Sequence, residues 1–177
     1  MKIKRRVELL DLLSSIGLPK TVVEVGVAEG RFSFELYNKG VDRLYLVDLW
    51  ETMPFIDGCA SFDQGWHDDN YNSVLRTFNG KNNVSILKGF SHKVAVKIPD
   101  RSIGLVYIDS DHSYNGVKSD IKVWLPKLVD GGIMAFHDYK NPAYGVSRAV
   151  IEYKGEALVN IIEEDGKIEN IGAWIQK

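Results

Sequence analysis

The stretch "TVVEVGVAEGRFSFEL", residues 21–36, joins a β-branched run to an amphipathic segment through a turn with two glycines. The first part predicts a buried strand and the second part predicts a helix. Gly26 and Gly30 allow a tight turn or a close approach to a ligand, and the start of the helix offers unpaired N–H groups to an anion. The spacing differs from the dinucleotide-binding fingerprint, because Ala28 stands where the second close-approach glycine would fall. A tight turn that binds no ligand is equally compatible with this motif.

The alternation of strand-like and helix-like segments continues along the chain and predicts a mostly parallel sheet with helices on its faces. Two final strand-like runs, joined by Asp165-Gly166, predict a closing antiparallel hairpin. We expect one doubly wound α/β domain over 1–177, with a leading helix in 1–19, a core in 20–152 and the hairpin in 153–177. Strands are predicted at 21–27, 43–49, 83–89, 103–109 and 131–138, and further helices at 31–39, 71–78, 92–97 and 114–128.

Composition limits the classes of partner that the protein is expected to bind. The chain has 177 residues, 45% hydrophobic and 26% charged, which fits one globular domain. Its 22 Lys and Arg against 24 Asp and Glu leave a formal charge of -2, so we expect neither a nucleic-acid nor a membrane partner. The single cysteine, Cys59, excludes an intramolecular disulfide, and Glu8 and Asp11 interrupt the apolar run that a secretory signal needs. We therefore expect a cytoplasmic protein.

One predicted connection is longer than the others. About twenty residues, 50–70, separate the second strand from the next helix, which is more than a strand-to-helix connection usually needs. The segment contains Trp50, Phe55, Phe62 and Trp66. It is interpreted either as a surface loop with a small core of its own or as a lid over a binding site.

Further along the chain, the second and third strands end in residues suited to a nucleoside. Asp48 ends the second predicted strand, 22 residues after Gly26, where a ribose would present its hydroxyls to a carboxylate. After the third strand, Phe90 could stack on a base and Ser91 could hydrogen-bond to it, although Phe90 also fits a place in the core. The glycine turn and Asp48 together indicate a nucleoside ligand.

The stretch "LVYIDSDHSYNGVKSD", residues 105–120, puts an acid and a histidine directly after a predicted buried strand. Asp109 would end that strand, and His137 and Asp138 would end the next one. Because neighbouring parallel strands lie roughly 5 Å apart, we expect these three side chains to converge. His112 follows Asp109 by three residues. The alternative for His112 is a structural role, as the cap of the helix that begins near residue 114.

These motifs resemble the class I S-adenosylmethionine-dependent methyltransferases, and most closely their small-molecule branch of macrolide-sugar and novobiocin-type O-methyltransferases. The resemblance rests on "VVEVGVAEGRFS", "LYLVDLW", "VYIDSDHSY", "GGIMAFHDY" and "GVSRAV", and it covers about residues 20–152. It implies a seven-stranded sheet and S-adenosylmethionine as the methyl donor. The methionyl end would lie over the glycine turn, the ribose on the second strand and the adenine after the third. The residues implied in cofactor binding are Glu24, Gly26, Val27, Ala28, Gly30, Asp48, Leu49, Phe90, Ser91 and Asp109.

The resemblance also implies a catalytic site at the ends of the fourth and fifth strands. In metal-dependent relatives, acids matching Asp109 and positions 137 and 138 hold Mg²⁺, a hard cation that prefers carboxylate oxygens. This chain departs from that pattern at His137, which favours Mn²⁺ or a softer ion, or no metal at all. In some sugar O-methyltransferases a histidine at the position of His112 is the general base, so the resemblance implies His112 and Asp109 as catalytic residues, with Asp109, His137 and Asp138 as metal ligands.

Two functions from different classes follow from these observations. The first is an O-methyltransferase that acts on a hydroxyl of a sugar or another small polar acceptor, either as a monomer or as a homodimer. The second is a nucleotide-binding or scaffold domain that keeps the fold but has lost catalysis, and His137 is the reason to consider it. A dehydrogenase is disfavoured, because the dinucleotide glycines and a second domain for the substrate are missing from the sequence.

Overall fold

The computed structural model describes residues 3–53, 62–155, 159–161 and 171–176. Its seven strands form one sheet in the order 3-2-1-4-5-7-6, numbered along the chain. The first five strands run parallel to one another, and the seventh is antiparallel to both the fifth and the sixth. This mixed sheet confirms the predicted fold class. The strands are β1 (Thr21–Val25), β2 (Arg43–Asp48), β3 (Val84–Lys88), β4 (Ile103–Ile108), β5 (Leu128–Phe136), β6 (Val159–Ile161) and β7 (Ile171–Ile175).

Six α-helices cover the sheet, and each face has its own apolar core. The first three helices contribute to one core and the last three to the other. Short 3-10 turns precede the first helix and follow the fifth. Val22 and Val23 lie in different cores, as expected for successive residues of a strand. The helices are α1 (Leu9–Ser15), α2 (Arg31–Asn38), α3 (Gln64–Thr77), α4 (Ser91–Ala95), α5 (Tyr114–Trp124) and α6 (Val146–Lys154).

Two predicted helix boundaries are wrong. Helix α3 begins at Gln64 and not at Tyr71, because the Asp63 carboxylate caps it by accepting a hydrogen bond of 2.8 Å from the backbone N–H of Trp66. Helix α5 ends at Trp124 and not at residue 128. There a 3-10 turn over Leu125–Lys127, which contains Pro126, leads directly into β5. The connection between β2 and α3 is therefore shorter than the roughly twenty residues expected from the sequence.

Several sequence-based predictions fall outside the described residues. The antiparallel pairing of β6 with β7 agrees with the predicted hairpin, but the Asp165-Gly166 turn lies outside the described ranges. Phe55 and Cys59 also lie outside them, as does most of the segment interpreted as a lid. Among the described residues, no helix has both the length and the apolar character needed to cross a bilayer. The division of the chain into one domain stays a prediction.

The site-forming edge of the sheet lies where the chain order reverses. Strand β1 pairs with β2 on one side and with β4 on the other, so the ends of β1 and β4 form the switch point at which open α/β sheets bind ligands. Gly26, directly after β1, has φ +88°. A Cβ at this position would overlap the carbonyl group of Asp109. The glycine is thus required by the approach of β4 as well as by the turn.

We expect Gly26→Ala to destabilise the protein much more than Gly80→Ala. Gly80 also has positive φ, at +71°, but a Cβ there meets no atom within 4 Å. Its replacement carries only the backbone penalty of about 1–2 kcal/mol. Gly26→Ala adds a backbone overlap, so we expect a loss of about 3 kcal/mol or more. Urea denaturation of both variants measures the difference, and equal losses would contradict the role assigned to the β1–β4 approach.

Candidate active site

A cavity of about 460 Å³ lies at the carboxyl ends of β1, β2 and β4. Its size is within the range of small-molecule and cofactor sites. Most of the residues that the sequence singles out for cofactor binding line it, whereas three of them, Glu24, Val27 and Gly30, do not. The predicted residues on its wall are Gly26, Ala28, Asp48, Leu49, Phe90, Ser91, Asp109 and His112.

Asp48 holds the glycine turn in place. Its Oδ2 accepts hydrogen bonds from the backbone N–H groups of Val27 and Ala28, at 2.8 and 2.9 Å. Its Oδ1 accepts one from the backbone N–H of Trp50 at 2.9 Å. A carboxylate has about four acceptor positions, so about one remains for a ligand hydroxyl. The contact that the sequence predicts with both ribose hydroxyls is therefore limited by the bonds that Asp48 makes within the protein.

Glu24 lies beneath the turn and not on the cavity wall. It is 2% exposed, and its Oε2 accepts a hydrogen bond of 2.5 Å from the Ser33 hydroxyl. Burial raises the pKa of Glu24 to about 8, although the Ser33 hydrogen bond opposes this shift. Glu24 links β1 to α2, and any effect that it has on a cofactor passes through the position of this helix.

At another part of the cavity, Phe90 is 37% exposed and lines the wall, so it is not a core residue. Ser91 accepts a hydrogen bond of 2.7 Å from the Trp124 indole N–H. Asp120 on α5 is 6% exposed, and its Oδ2 accepts a hydrogen bond of 2.6 Å from Ser110. Burial raises the pKa of Asp120. Its spacing from the α5 residues Val117, Ile121 and Trp124 was the signal for burial, because all four share one helical face.

Aromatic residues after β2 also line the cavity. Trp50 is fully buried, and its indole N–H donates a hydrogen bond of 2.9 Å to the carbonyl oxygen of Ala28. Phe62 and Trp66 stack on each other with ring centroids 3.9 Å apart, and His67 contacts both rings edge-on. His67 also lies on the cavity wall.

Four side chains meet where β4 and β5 end, and we call Asp109, His112, His137 and Asp138 the histidine–aspartate cluster. His112 Nε2 lies 3.2 Å from Asp109 Oδ1 and 3.4 Å from Asp138 Oδ2. His137 Nδ1 lies 3.2 Å and 3.0 Å from the same two oxygens. The side chains are 18–24% exposed, so the cluster is accessible from solvent. The predicted convergence of the two strand ends is thus present in the structure, and His112 joins it.

Neighbouring residues fix the cluster from behind. The Asn141 side-chain amide donates a hydrogen bond of 3.0 Å to Asp138 Oδ1, and the His112 ring stacks on Tyr144 at 4.8 Å. Ser113, and not His112, caps α5, because its hydroxyl accepts a hydrogen bond from the N–H of Gly116. This excludes the capping alternative for His112, and it leaves the imidazole oriented toward two carboxylates.

The surroundings of Asp138 favour its charged form. Burial raises the pKa of Asp138, but the hydrogen bonds from His137 and Asn141 outweigh this effect and lower the pKa to about 2. Asp138 also has a positive φ of 54°, a backbone conformation that is rare outside glycine. Such strain often accompanies functional sites. Asp138 therefore presents a charged acceptor to both imidazoles at neutral pH.

Comparison with known proteins assigns the family. Residues 23–139, which include the glycine turn, Asp48 and the whole cluster, match the family described as a methyltransferase domain. The chain belongs to this family. The match confirms the resemblance to S-adenosylmethionine-dependent methyltransferases, and the family implies S-adenosylmethionine as the cofactor of this methyltransferase domain.

Solved structures of methyltransferases have the same fold. The O-methyltransferase NovP aligns with a TM-score of 0.68 and 17% identity over 97% of this chain and 77% of its own. CalS11, a calicheamicin methyltransferase, aligns with a TM-score of 0.69 and 18% identity over 96% of this chain and 80% of its own. At these identities the similarity establishes the fold.

One curated relative matches part of the sequence. It is an uncharacterized protein, y4gI, of Sinorhizobium fredii, with 27% identity over 134 residues. The match covers 72% of this chain but only 14% of that protein. The methyltransferase domain thus spans a small part of that much longer relative.

We expect the buried carboxyl of Glu24 to make stability fall as pH rises. Its pKa is about 8 in the folded protein, against an ordinary value of 4.5 in the unfolded chain, so between these values the folded state binds a proton that the unfolded state lacks. The free energy of unfolding therefore decreases across this window, by at most about 1.4 kcal/mol per pH unit, and is level above it. Urea denaturation from pH 5 to pH 9 measures the slope.

Two variants isolate the contribution of Glu24. Glu24→Gln removes the titrating group, so it is expected to flatten the pH dependence in this window. Glu35→Gln, on the next helix, removes a carboxylate that forms an exposed ion pair with Arg5, and it is expected to leave the slope unchanged. An unchanged slope in Glu24→Gln would show that the group is not protonated in the folded protein.

Proposed function

We propose that this domain transfers the methyl group of S-adenosylmethionine to a hydroxyl oxygen of a small polar acceptor such as a sugar. The observation that carries the proposal is the histidine–aspartate cluster at the edge of the cavity, directly beside the glycine turn. Methyl transfer to a hydroxyl needs an acceptor for the hydroxyl proton, and an imidazole can take that proton near neutral pH. A cluster of this composition supplies the imidazole and the negative charge that stabilises it once protonated.

The cofactor is proposed to lie along the edge from the glycine turn to Phe90. Gly26, Val27, Ala28 and Gly30 would surround the methionyl end, supported from below by Glu24. One free acceptor position on Asp48, with Leu49 beside it, would receive the ribose. Phe90 and Ser91 would contact the adenine, and Asp109 would lie near the reacting methyl group. The open, 37% exposed face of Phe90 is available for stacking on a base.

In the reaction, the acceptor oxygen forms a bond to the methyl carbon while the carbon–sulfur bond breaks. The hydroxyl proton goes to Nδ1 of His112, because Nε2 faces two carboxylate oxygens within 3.4 Å and donates its hydrogen to them. Asp109 and Asp138 stabilise the resulting imidazolium through Nε2–H. The remaining rate enhancement would come from holding the donor and acceptor in line. His112 is thus the proposed base, and Asp109 orients it.

A divalent cation, Mg²⁺ or Mn²⁺, is proposed to assist, held by Asp109, His137 and Asp138. When bound, it would lower the pKa of the acceptor hydroxyl. The carboxylates fit a cation, and the Asp138 charge persists at neutral pH because its pKa is about 2.

A sugar acceptor is supported by the relatives with the same fold. An apo structure of CalS11 is described as a TDP-rhamnose 3'-O-methyltransferase. In this chain the stacked rings of Phe62 and Trp66 offer an apolar surface on the cavity wall. We further propose that the domain acts in the cytoplasm and needs no nucleic-acid partner, as its composition predicts. Association into homodimers stays a prediction.

The second candidate is a cofactor-binding domain without catalysis. It is favoured by His137, which stands where metal-dependent relatives have an acid. This candidate predicts binding of S-adenosylhomocysteine, the demethylated product, without turnover of any acceptor. The next two tests separate it from the first candidate.

We expect isothermal titration calorimetry to show S-adenosylhomocysteine binding to the wild-type protein, and Asp48→Ala to weaken it about tenfold or more. The variant loses an acceptor for the ribose and the carboxylate that holds the turn, and a charged hydrogen bond contributes about 1.5–3 kcal/mol. Asp100→Ala is the control, because its exposed carboxylate pairs with Lys127 away from the cavity wall. Absence of binding by wild-type protein at high micromolar concentration would reject both candidates.

We expect His112→Ala to lose turnover by roughly 10²–10⁴-fold while its affinity for S-adenosylhomocysteine is retained. The assay follows S-adenosylhomocysteine formation with a panel of nucleotide sugars and small hydroxyl compounds. Added imidazole is expected to restore part of the activity, because it replaces the missing proton acceptor. If the wild-type protein binds the cofactor and turns over none of these acceptors, the non-catalytic candidate is favoured. Full activity in His112→Ala would exclude His112 as the base.

A further inference from the structure

We propose that the histidine–aspartate cluster binds a first-row transition ion in preference to Mg²⁺, with the imidazoles of both His112 and His137 among its ligands. The proposal deepens the proposed function, because the ion would act on the same acceptor hydroxyl. Binding of the ion can nevertheless be measured without cofactor, acceptor or turnover.

The separations of the donor atoms fit a single ion. Each imidazole nitrogen lies 3.0–3.4 Å from Asp109 Oδ1 and from Asp138 Oδ2. Ligands about 2.0–2.2 Å from one ion are separated by about 3.0 Å at right angles and by about 3.4 Å in a tetrahedron. Donor atoms of Asp109, His112 and His137 all lie within 4.8 Å of one another. Asp109, His112 and His137 therefore form a set of three donors that could hold one ion, and Asp138 Oδ2 lies beside both imidazoles.

The chemistry of these donors does not match Mg²⁺. Magnesium prefers oxygen ligands and retains several waters, so a site with two nitrogens on the ion is poorly suited to it. Imidazole nitrogens bind Zn²⁺, Fe²⁺, Co²⁺ and Ni²⁺ more strongly, in the general order of first-row affinities. His137 replaces an oxygen donor by a nitrogen, and His112 supplies a second nitrogen. Two nitrogen ligands thus disfavour Mg²⁺ and favour a transition ion.

The cluster is also held in a fixed arrangement before any ion binds. Asn141 fixes the second oxygen of Asp138, and Tyr144 stacks on the ring of His112. The carbonyl group of His112 accepts a hydrogen bond of 2.9 Å from the N–H of Gly145. Outer contacts of this kind orient metal ligands and increase metal affinity. The arrangement costs little reorganisation on ion binding.

This inference limits the role of His112. The neutral imidazole has one lone pair, so His112 cannot bind an ion and accept a proton at the same time. In the metal-loaded protein His112 would be a ligand, the ion would lower the pKa of the acceptor hydroxyl, and the proton would leave to the solvent that reaches the cluster. The base role of His112 proposed above belongs to the metal-free protein.

The test is a titration of the chelator-treated full chain with Co²⁺, whose visible absorption reports nitrogen and oxygen ligands. We expect one Co²⁺ per chain, displaced by an equimolar amount of Zn²⁺ but not by a large excess of Mg²⁺. Displacement by Mg²⁺ at concentrations comparable to those of Co²⁺ would overturn the preference. Absence of stoichiometric Co²⁺ binding would show that the four side chains form a hydrogen-bonded cluster only, and would also overturn the proposal.

Variants then assign the ligands. His112→Gln and His137→Gln are each expected to weaken Co²⁺ binding by roughly tenfold or more, and His137→Glu is expected to shift preference toward Mg²⁺. His67→Gln removes a histidine outside the cluster and is expected to leave the titration unchanged. Unchanged Co²⁺ affinity in either cluster variant would overturn the assignment of that imidazole. Circular dichroism checks that each variant is folded. The competition of Mg²⁺ and Zn²⁺ with Co²⁺ in the wild-type protein tests the ion preference without any variant.

The outcome is separable from that of the proposed function. A protein that binds S-adenosylhomocysteine but does not bind Co²⁺ would reject this inference and leave the methyltransferase proposal in place. A protein that binds Co²⁺ but does not bind S-adenosylhomocysteine would reject the methyltransferase proposal and retain the metal site.

Discussion

The close approach of the Asp109 carbonyl group to Gly26 is the constraint on which the site depends. Strand β4 can follow β1 this closely only because residue 26 has no Cβ. The approach fixes where β4 ends, and Asp109 begins the loop that carries His112 into the cluster. The backbone N–H of His137 donates to the carbonyl oxygen of Ile108 at 2.9 Å, so the end of β5 is aligned with the same point. These two backbone contacts thus align the ends of β4 and β5 at the proposed site.

Carboxylates along this edge differ in their hydrogen bonds and in the direction of their pKa shifts, according to their surroundings. Asp48 uses three of its acceptor positions to hold the glycine turn and Trp50, so a proposed ligand residue is also a structural one. Glu24 and Asp120 are buried, and burial raises the pKa of both. Asp138 has a lowered pKa because His137 and Asn141 donate to it. Asp138, whose pKa is lowered, therefore stays charged beside both histidines.

Much of the fold could be predicted from local pattern, because five β-branched runs alternate with amphipathic segments. The convergence of Asp109 with His137 and Asp138 followed from parallel pairing alone. The start of α3 was missed, because residues 50–70 were assigned to the connection, whereas Asp63 caps the helix. The directions of side chains could not be predicted, because tertiary contacts set them. Asp48 turns to the backbone of the glycine turn after β1, and His112 turns toward Asp138 at the end of the neighbouring strand β5.

The most direct test of the central claim is a crystal structure of the protein with S-adenosylhomocysteine. The account predicts the ligand along the carboxyl edge, with a ribose hydroxyl on Asp48, the adenine at Phe90 and the sulfur atom facing the histidine–aspartate cluster. The bound ligand would extend along the wall of the 460 Å³ cavity. A ligand bound elsewhere, or one whose sulfur points away from the cluster, would contradict the assignment of this edge as the methyl-transfer site.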